Sequence, residues 1–229
     1  MLLNECIDHC LDATYPFFND DAAVTEVLAF LQERGLGSVP VLHEGKAEAI
    51  VTIPDLQPSA QPKTGDGLRL ADLQLENTGS VRRHEHLFDI FSRIHTFPHS
   101  IIPVSEENGL YAGIIQKVTL LEKIAGVFHL GEEGLTLELE VPYAGLKLSG
   151  VIELLEKNDA TVLSFGSYFP LPEVESMIVT FRVQTHDLFR LVKNMEKYGY
   201  SIRYASAFVK EGEDELREKA LEFIRYMDM

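Results

Sequence analysis

The 229-residue chain has no tryptophan and only two cysteines, Cys6 and Cys10. The string Cys6-Ile7-Asp8-His9-Cys10 gathers metal-ligating residue types. No second Cys/His cluster supplies the remaining ligands of a structural zinc site. The two thiols are therefore read as standing on successive turns of an N-terminal helix, with His9 exposed. No apolar run approaches the ~18 residues that a membrane helix needs. The start, Met1-Leu2-Leu3-Asn4-Glu5-Cys6, lacks the basic region of a secretory signal. The expectation is a cytoplasmic protein without a membrane partner. Positive charge is scarce as well: 20 basic against 36 acidic residues leave a net charge of −16. Such a surface repels phosphate backbones over about 8 Å in physiological salt. It offers no basic stripe, so nucleic acid is not an expected partner. A local basic pocket for one nucleotide stays open, because net charge does not describe pockets.

Catalytic fingerprints are missing too. None of the eight histidines lies in a HExxH string, and CxxC, Ser-elbow, Walker and GxGxxG patterns are absent. His84, His86, His95 and His99 are scattered along one region, and His43 and His129 stand beside turns or linkers. Catalysis needs a nucleophile with its base, a carboxylate pair or a metal cluster. The chain is read as a non-enzyme that requires no cofactor. Its 45% hydrophobic and 24% charged content is ordinary for a globular protein and sufficient for a core.

What the sequence does carry is an internal repeat. Val24, Val27, Leu28 and Leu31 have the spacing of an amphipathic helix. A stop at Gly35-Leu36-Gly37 follows, then the strand-like Ser38-Val39-Pro40-Val41-Leu42, a turn at Glu44-Gly45-Lys46 and the strand Ala49-Ile50-Val51. In a second segment Leu87, Ile90, Phe91 and Ile94 repeat the helical spacing. Phe97-Pro98-His99, the strand Ser100-Ile101-Ile102-Pro103-Val104, a turn at Glu107-Asn108-Gly109 and the strand Ala112-Gly113-Ile114-Ile115 come after it. The offset is constant: 87 − 24, 90 − 27, 91 − 28, 94 − 31 and 103 − 40 all give 63, and past the turn it becomes 64. A one-residue insertion in a turn is where length changes are tolerated best.

Helix, apolar-Pro-Val strand, turn and an apolar-apolar-Thr-x-x-Asp junction together resemble the CBS domain, which occurs in tandem pairs (Bateman modules). The resemblance covers about residues 10 to 128. It implies a ligand between the two repeats, commonly an adenine nucleotide (AMP, ADP or ATP) or a related adenosyl ligand such as S-adenosylmethionine. Repeat one carries Thr52 and Asp55 at the two polar positions, with Ala49 replacing the usual Gly. Repeat two keeps Gly113 but has Gln116 at the Thr position and Thr119 at the Asp position. A carboxylate can accept from both ribose hydroxyls, while a hydroxyl and helix N-terminal amides can take a phosphate. The site around Thr52 and Asp55 is then the better candidate, with Pro40 and Val41 (Pro103 in repeat two) as an apolar wall for the base and Lys117 near a phosphate. The same residues fit a second reading, in which Thr52 is an N-cap, Pro54 lies in the first turn and Asp55 is favoured there by the helix dipole. Between the repeats, residues 57–67 are rich in Pro, Gly and polar residues and read as a loop. The basic run Arg82-Arg83-His84, with His86, reads as a solvated loop or helix start more readily than as an anion contact.

Beyond His129-Leu130-Gly131-Glu132-Glu133-Gly134 the pattern changes. Leu135, Leu137, Leu139 and Val141 alternate with polar residues as a half-buried strand. A helix through Leu148, Val151, Ile152 and Leu155, strands at 161–165 and 177–183, a helix through Leu188, Leu191, Val192 and Met195, and a strand at 200–205 complete the order βαββαβ. This ferredoxin-like order resembles the ACT domain, which implies amino-acid or similar small-molecule sensing at the first strand-to-helix loop. There only Gly145 matches the family string. The tail from 213 onward reads as an amphipathic helix that docks on a domain or partner subunit.

The expected fold class is thus α+β: tandem CBS repeats, an α/β sandwich pair, followed by a ferredoxin-like ACT-type domain. The expected segments are 1–128 for the pair (repeats about 10–60 and 72–128), 129–134 for a linker, 135–208 for the ACT-like domain and 209–229 for a C-terminal helix. The architecture is similar to bacterial acetoin-utilisation regulatory proteins, and CBS pairs commonly form homodimers. The expected function is non-catalytic ligand sensing, with a ligand-free oligomerisation scaffold as the alternative.

Overall fold

The computed structural model describes residues 7–58, 67–131, 134–142, 147–170 and 176–206. The chain splits into two compact units, Met1–Glu122 and Lys123–Met229.

In the first unit, repeat one consists of β1 (Phe18–Asn19), α1 (Val24–Arg34), β2 (Ser38–His43), β3 (Lys46–Thr52) and the single turn α2 (Ile53–Leu56). Helix α1 forms because Val24, Val27 and Leu31 fall on one stripe, and all three are fully buried. It ends at Gly35, whose φ of 64° is a left-handed conformation that glycine adopts without strain. Strand β2 is buried on both faces up to Leu42. The turn to β3 uses Glu44 and Gly45 at φ 47° and 76°, the two positive values that a tight two-residue hairpin needs. Val39, Val41, Ala49 and Val51 pack with the helix stripe as the core of this repeat.

Repeat two follows the same plan: β4 (Val81–Arg82), α3 (Leu87–Ser92), β5 (Ile101–Ser105), β6 (Tyr111–Gln116) and α4 (Lys117–Val127). Backbone registers reproduce the sequence offsets. Pro40 faces Ile50 and Pro103 faces Ile114, so 103 − 40 = 63 and 114 − 50 = 64. The ladder slips between Val41 and Leu42 in one repeat and between Val104 and Ser105 in the other, again 63 apart. Each sheet also gains a two-residue parallel strand, Phe18 against Val41 and Val81 against Val104. β1 meets only Val41 and Leu42, so Pro40, which has no N–H to give, stands outside that ladder.

The repeats exchange segments. Asp12, which precedes repeat one, bonds Ile114 of repeat two in both directions (2.8 and 3.1 Å). Asn77, which precedes repeat two, bridges to Ala49 of repeat one, and the Thr78 amide donates to the Glu48 carbonyl (2.9 Å). Gly113 has no substitute here. Its φ is 147°, and a Cβ on it would lie 2.5 Å from the Asp12 carbonyl oxygen. The two hairpin tips touch through the Tyr111 amide and the Gly45 carbonyl (2.8 Å). Between the sheets Ile50, Ile101 and Ile114 form a small buried cluster, joined by Tyr15 and Tyr111.

The second unit holds β7 (Leu135–Pro142), α5 (Leu148–Lys157), β8 (Thr161–Tyr168), β9 (Ser176–Gln184), α6 (Leu188–Lys197) and β10 (Ser201–Ala205). The sheet order is β10-β7-β9-β8, and every neighbouring pair is antiparallel. Leu137, Leu139, Val179, Phe181 and Val183 face Val151, Leu155, Leu191 and Met195 from the helices in one core. Asp187 caps α6 by accepting from the Arg190 amide (2.8 Å). The expected helix at 209–229 and Gly145 lie outside the described residues.

Candidate functional site

Thr52 ends β3 in an extended conformation, φ −118° and ψ 164°, and opens α2. One Asp55 oxygen accepts from both the Thr52 amide (2.9 Å) and the Thr52 hydroxyl (2.6 Å). The pair is therefore a reciprocal helix cap, with Pro54 in the first turn where a missing N–H costs nothing. Both side chains still reach solvent: Thr52 is half-buried and Asp55 exposed. The structure brings these two together in the capping geometry.

Pro40 and Val41 do not form one wall. Successive residues of a strand point to opposite faces. Val41 is buried among the α1-facing residues of repeat one, whereas Pro40 pairs with Ile50, a member of the seam between the repeats. The expectation of a shared apolar wall is corrected accordingly: Pro40, and by the same register Pro103 opposite Ile114, are the residues on the seam side.

In repeat two, Gln116 is exposed at the end of β6, paired with Ile101, and Thr119 is half-buried in the first turn of α4. The Lys117 ammonium donates to the Phe97 carbonyl, and its amide donates to the Ser100 carbonyl (2.8 Å). The charged end of Lys117, expected beside a phosphate, is thus bonded to backbone in this structure. Within the basic run, Arg83 and His86 are committed likewise. Arg83 donates to Asp8 (2.5 Å) and to Glu106 (2.8 Å). That guanidinium holds the Asp8 carboxyl below its usual range. Arg93 pairs with Glu85, and the His86 ring caps α3 by accepting from the Phe88 amide (3.2 Å).

Two residues that sequence reasoning passed over, Tyr15 and Tyr111, stand at the seam. Tyr15 donates to the Ser38 carbonyl (2.9 Å), and Ser38 is the strand partner of Thr52. Burial, with Asp12 nearby, pushes the Tyr15 phenol up. Tyr111 packs edge-on to Phe17 with ring centres 5.4 Å apart. Its hydroxyl is buried without a hydrogen-bond partner, and burial raises its pKa strongly. His43, which stands beside the β2–β3 turn, has a partner: its Nδ1 lies 2.7 Å from an Asp20 oxygen, which raises the imidazole pKa. The His43–Asp20 pair rims a hollow of about 280 Å³ with Glu48, Leu70 and Asn77. Among the described residues no three His, Cys, Asp or Glu side chains are gathered to hold a metal. No helix there is long and apolar enough to cross a membrane.

No family model matches the sequence, and no curated protein matches it. Solved structures do, over about half of the chain. The CBS-pair protein CBSX2 from Arabidopsis thaliana shares 15% identity over 54% of this chain and 96% of its own, with a TM-score of 0.47. CBSX2 has also been solved in complex with AMP. The CBS domain of the bacterial CNNM/CorC family Mg2+ transporter shares 18% over 53% of this chain and 75% of its own, with a TM-score of 0.47. CbpB in complex with c-di-AMP shares 19% over 56% and 90%, with a TM-score of 0.49. The neighbours are CBS-domain pair proteins. The described residues form a mixed α and β structure.

Proposed function

We propose that the chain is a non-catalytic ligand sensor. Residues 1–128 act as a tandem CBS pair, with an adenosyl ligand held at the repeat-one cleft beside Thr52 and Asp55. Residues 135–208 act as a ferredoxin-like ACT-type domain that relays occupancy to a homodimer partner in the cytoplasm. The observation that supports the first part most is the doubled ladder, in which slip and parallel strand recur at an offset of 63 and the hairpin register at 63 and 64. The two repeats face each other across Ile50 and Ile114, where a ligand between them would lie, and only repeat one carries a carboxylate at the position that the resemblance assigns to the ribose. The relay reading leans on the sheet order of the second unit, that of a split βαβ arrangement. A scaffold without ligand is the alternative, and the Thr52–Asp55 cap favours it, since the pair already satisfies itself.

The test is a thermal-shift series with AMP, ADP, ATP and S-adenosylmethionine on the full chain. Ligand at 100 times its Kd adds about 2.7 kcal/mol to the folded state. Asp55→Ala destabilises the ligand-free fold by about 1 kcal/mol through loss of the cap and so lowers its melting point. The quantity to compare is therefore the ligand-induced shift, with Asp55→Asn as the variant that keeps an acceptor. A shift lost in Asp55→Ala supports the sensor. A flat response to all four compounds leaves the scaffold.

A further inference from the structure

The proposed cleft has an occupant built into the chain. Tyr15 belongs to the segment that runs from its bridge with Ile114 to β1, so it crosses the seam between the repeats. Its ring packs against both the repeat-one core and the Ile50–Ile101–Ile114 cluster. Its hydroxyl is spent on the Ser38 carbonyl, on the residue that pairs with Thr52. A ligand that bonds Thr52 and Asp55 and lies along Pro40 must take this space and this carbonyl. Beside it, the Tyr111 hydroxyl remains buried without a partner, a deficit that a polar atom of a ligand or a water would relieve.

We propose that Tyr15 decides what the repeat-one cleft admits, closing it with its own ring and hydroxyl until a ligand displaces them. This rests on the sensor reading above. A closed form that must open first weakens apparent affinity by the fraction of open molecules. A ligand thus has to carry a flat ring and an acceptor-seeking donor to replace what Tyr15 gives up; adenine, with its exocyclic amine, has both.

The experiment is calorimetric titration of AMP and ATP into the full chain, as wild type, Tyr15→Phe, Tyr15→Ala and Asp55→Ala. Tyr15→Phe keeps the ring and loses one neutral hydrogen bond from the closed form, and it is expected to bind about fivefold tighter. Tyr15→Ala is expected to bind at least about tenfold tighter. Tyr15→Phe carries the test alone if the alanine variant does not melt cooperatively. Unchanged or weaker binding in the Tyr15 variants, with binding still lost in Asp55→Ala, overturns the gate and leaves the sensor reading standing. Equal binding by Asp55→Ala and wild type, or no binding by any of the four proteins, overturns the sensor reading and the gate with it.

Discussion

At the scale of single residues, the two glycines Gly113 and Gly126 make opposite demands. Gly113 combines a positive φ with a backbone oxygen 2.5 Å from where a Cβ would sit. Gly113→Ala is expected to cost about 3 kcal/mol, from strain and from the displaced Asp12 strap together. Gly126 lies in α4 with nothing within 4 Å of a Cβ. Gly126→Ala is expected to gain about 0.5 kcal/mol, as a helix former replacing a helix breaker near an end. Urea unfolding of both variants checks the pair, and loss in both would mean that α4 is not the helix described. The contrast was half legible in the sequence. Gly113 sat at a motif position, but the chain that presses on it lies about a hundred residues upstream, and no local pattern announces a bond of that reach. Tyr15 was hidden for a related reason: its partner is a main-chain carbonyl, which every residue presents alike.

At the scale of elements, the short strands were the ones missed. Periodicity needs several residues to show itself, and β1 and β4 have two each. The longer elements were legible because helical and alternating spacing were both present, and because the same offset linked two copies. The ends of β1 and β2 are tied by the His43–Asp20 contact, which has a pH signature. The folded His43 pKa lies above its ordinary 6.5. The stabilisation is therefore complete below the ordinary value and is lost as pH rises through the raised one. His43→Gln should remove that slope, and melting curves between pH 5 and pH 9 measure it. Equal slopes in the two proteins would assign any pH dependence elsewhere. The Thr52–Asp55 turn shows why one motif supported two readings. Its residue types serve a helix start and a ribose equally well, and the chemistry of a carboxylate beside a hydroxyl does not distinguish them.

At the scale of the whole molecule, Ile114 tests whether the repeats act as one body. It is fully buried and touches the seam, and its backbone holds Asp12. Ile114→Ala should cost about 2–5 kcal/mol. Hydrogen exchange should quicken in β2–β3 as well as in β5–β6. Faster exchange confined to repeat two would mean that the repeats open separately. The offset of 63 made the duplication readable from sequence. The exchange of straps was not, because each strap precedes the repeat that it does not serve. That crossing makes each repeat depend on the other. A lone repeat with its own leading segment would leave the segment with no edge to bond and its hairpin uncovered. Two separate copies would each lend the other a strap, as a swapped pair. Within one polypeptide each repeat instead takes its strap from the segment before the other, through the bonds of Asp12 to Ile114 and of Thr78 to Glu48, so that neither hairpin can be unlatched without loosening the lead-in to its neighbour.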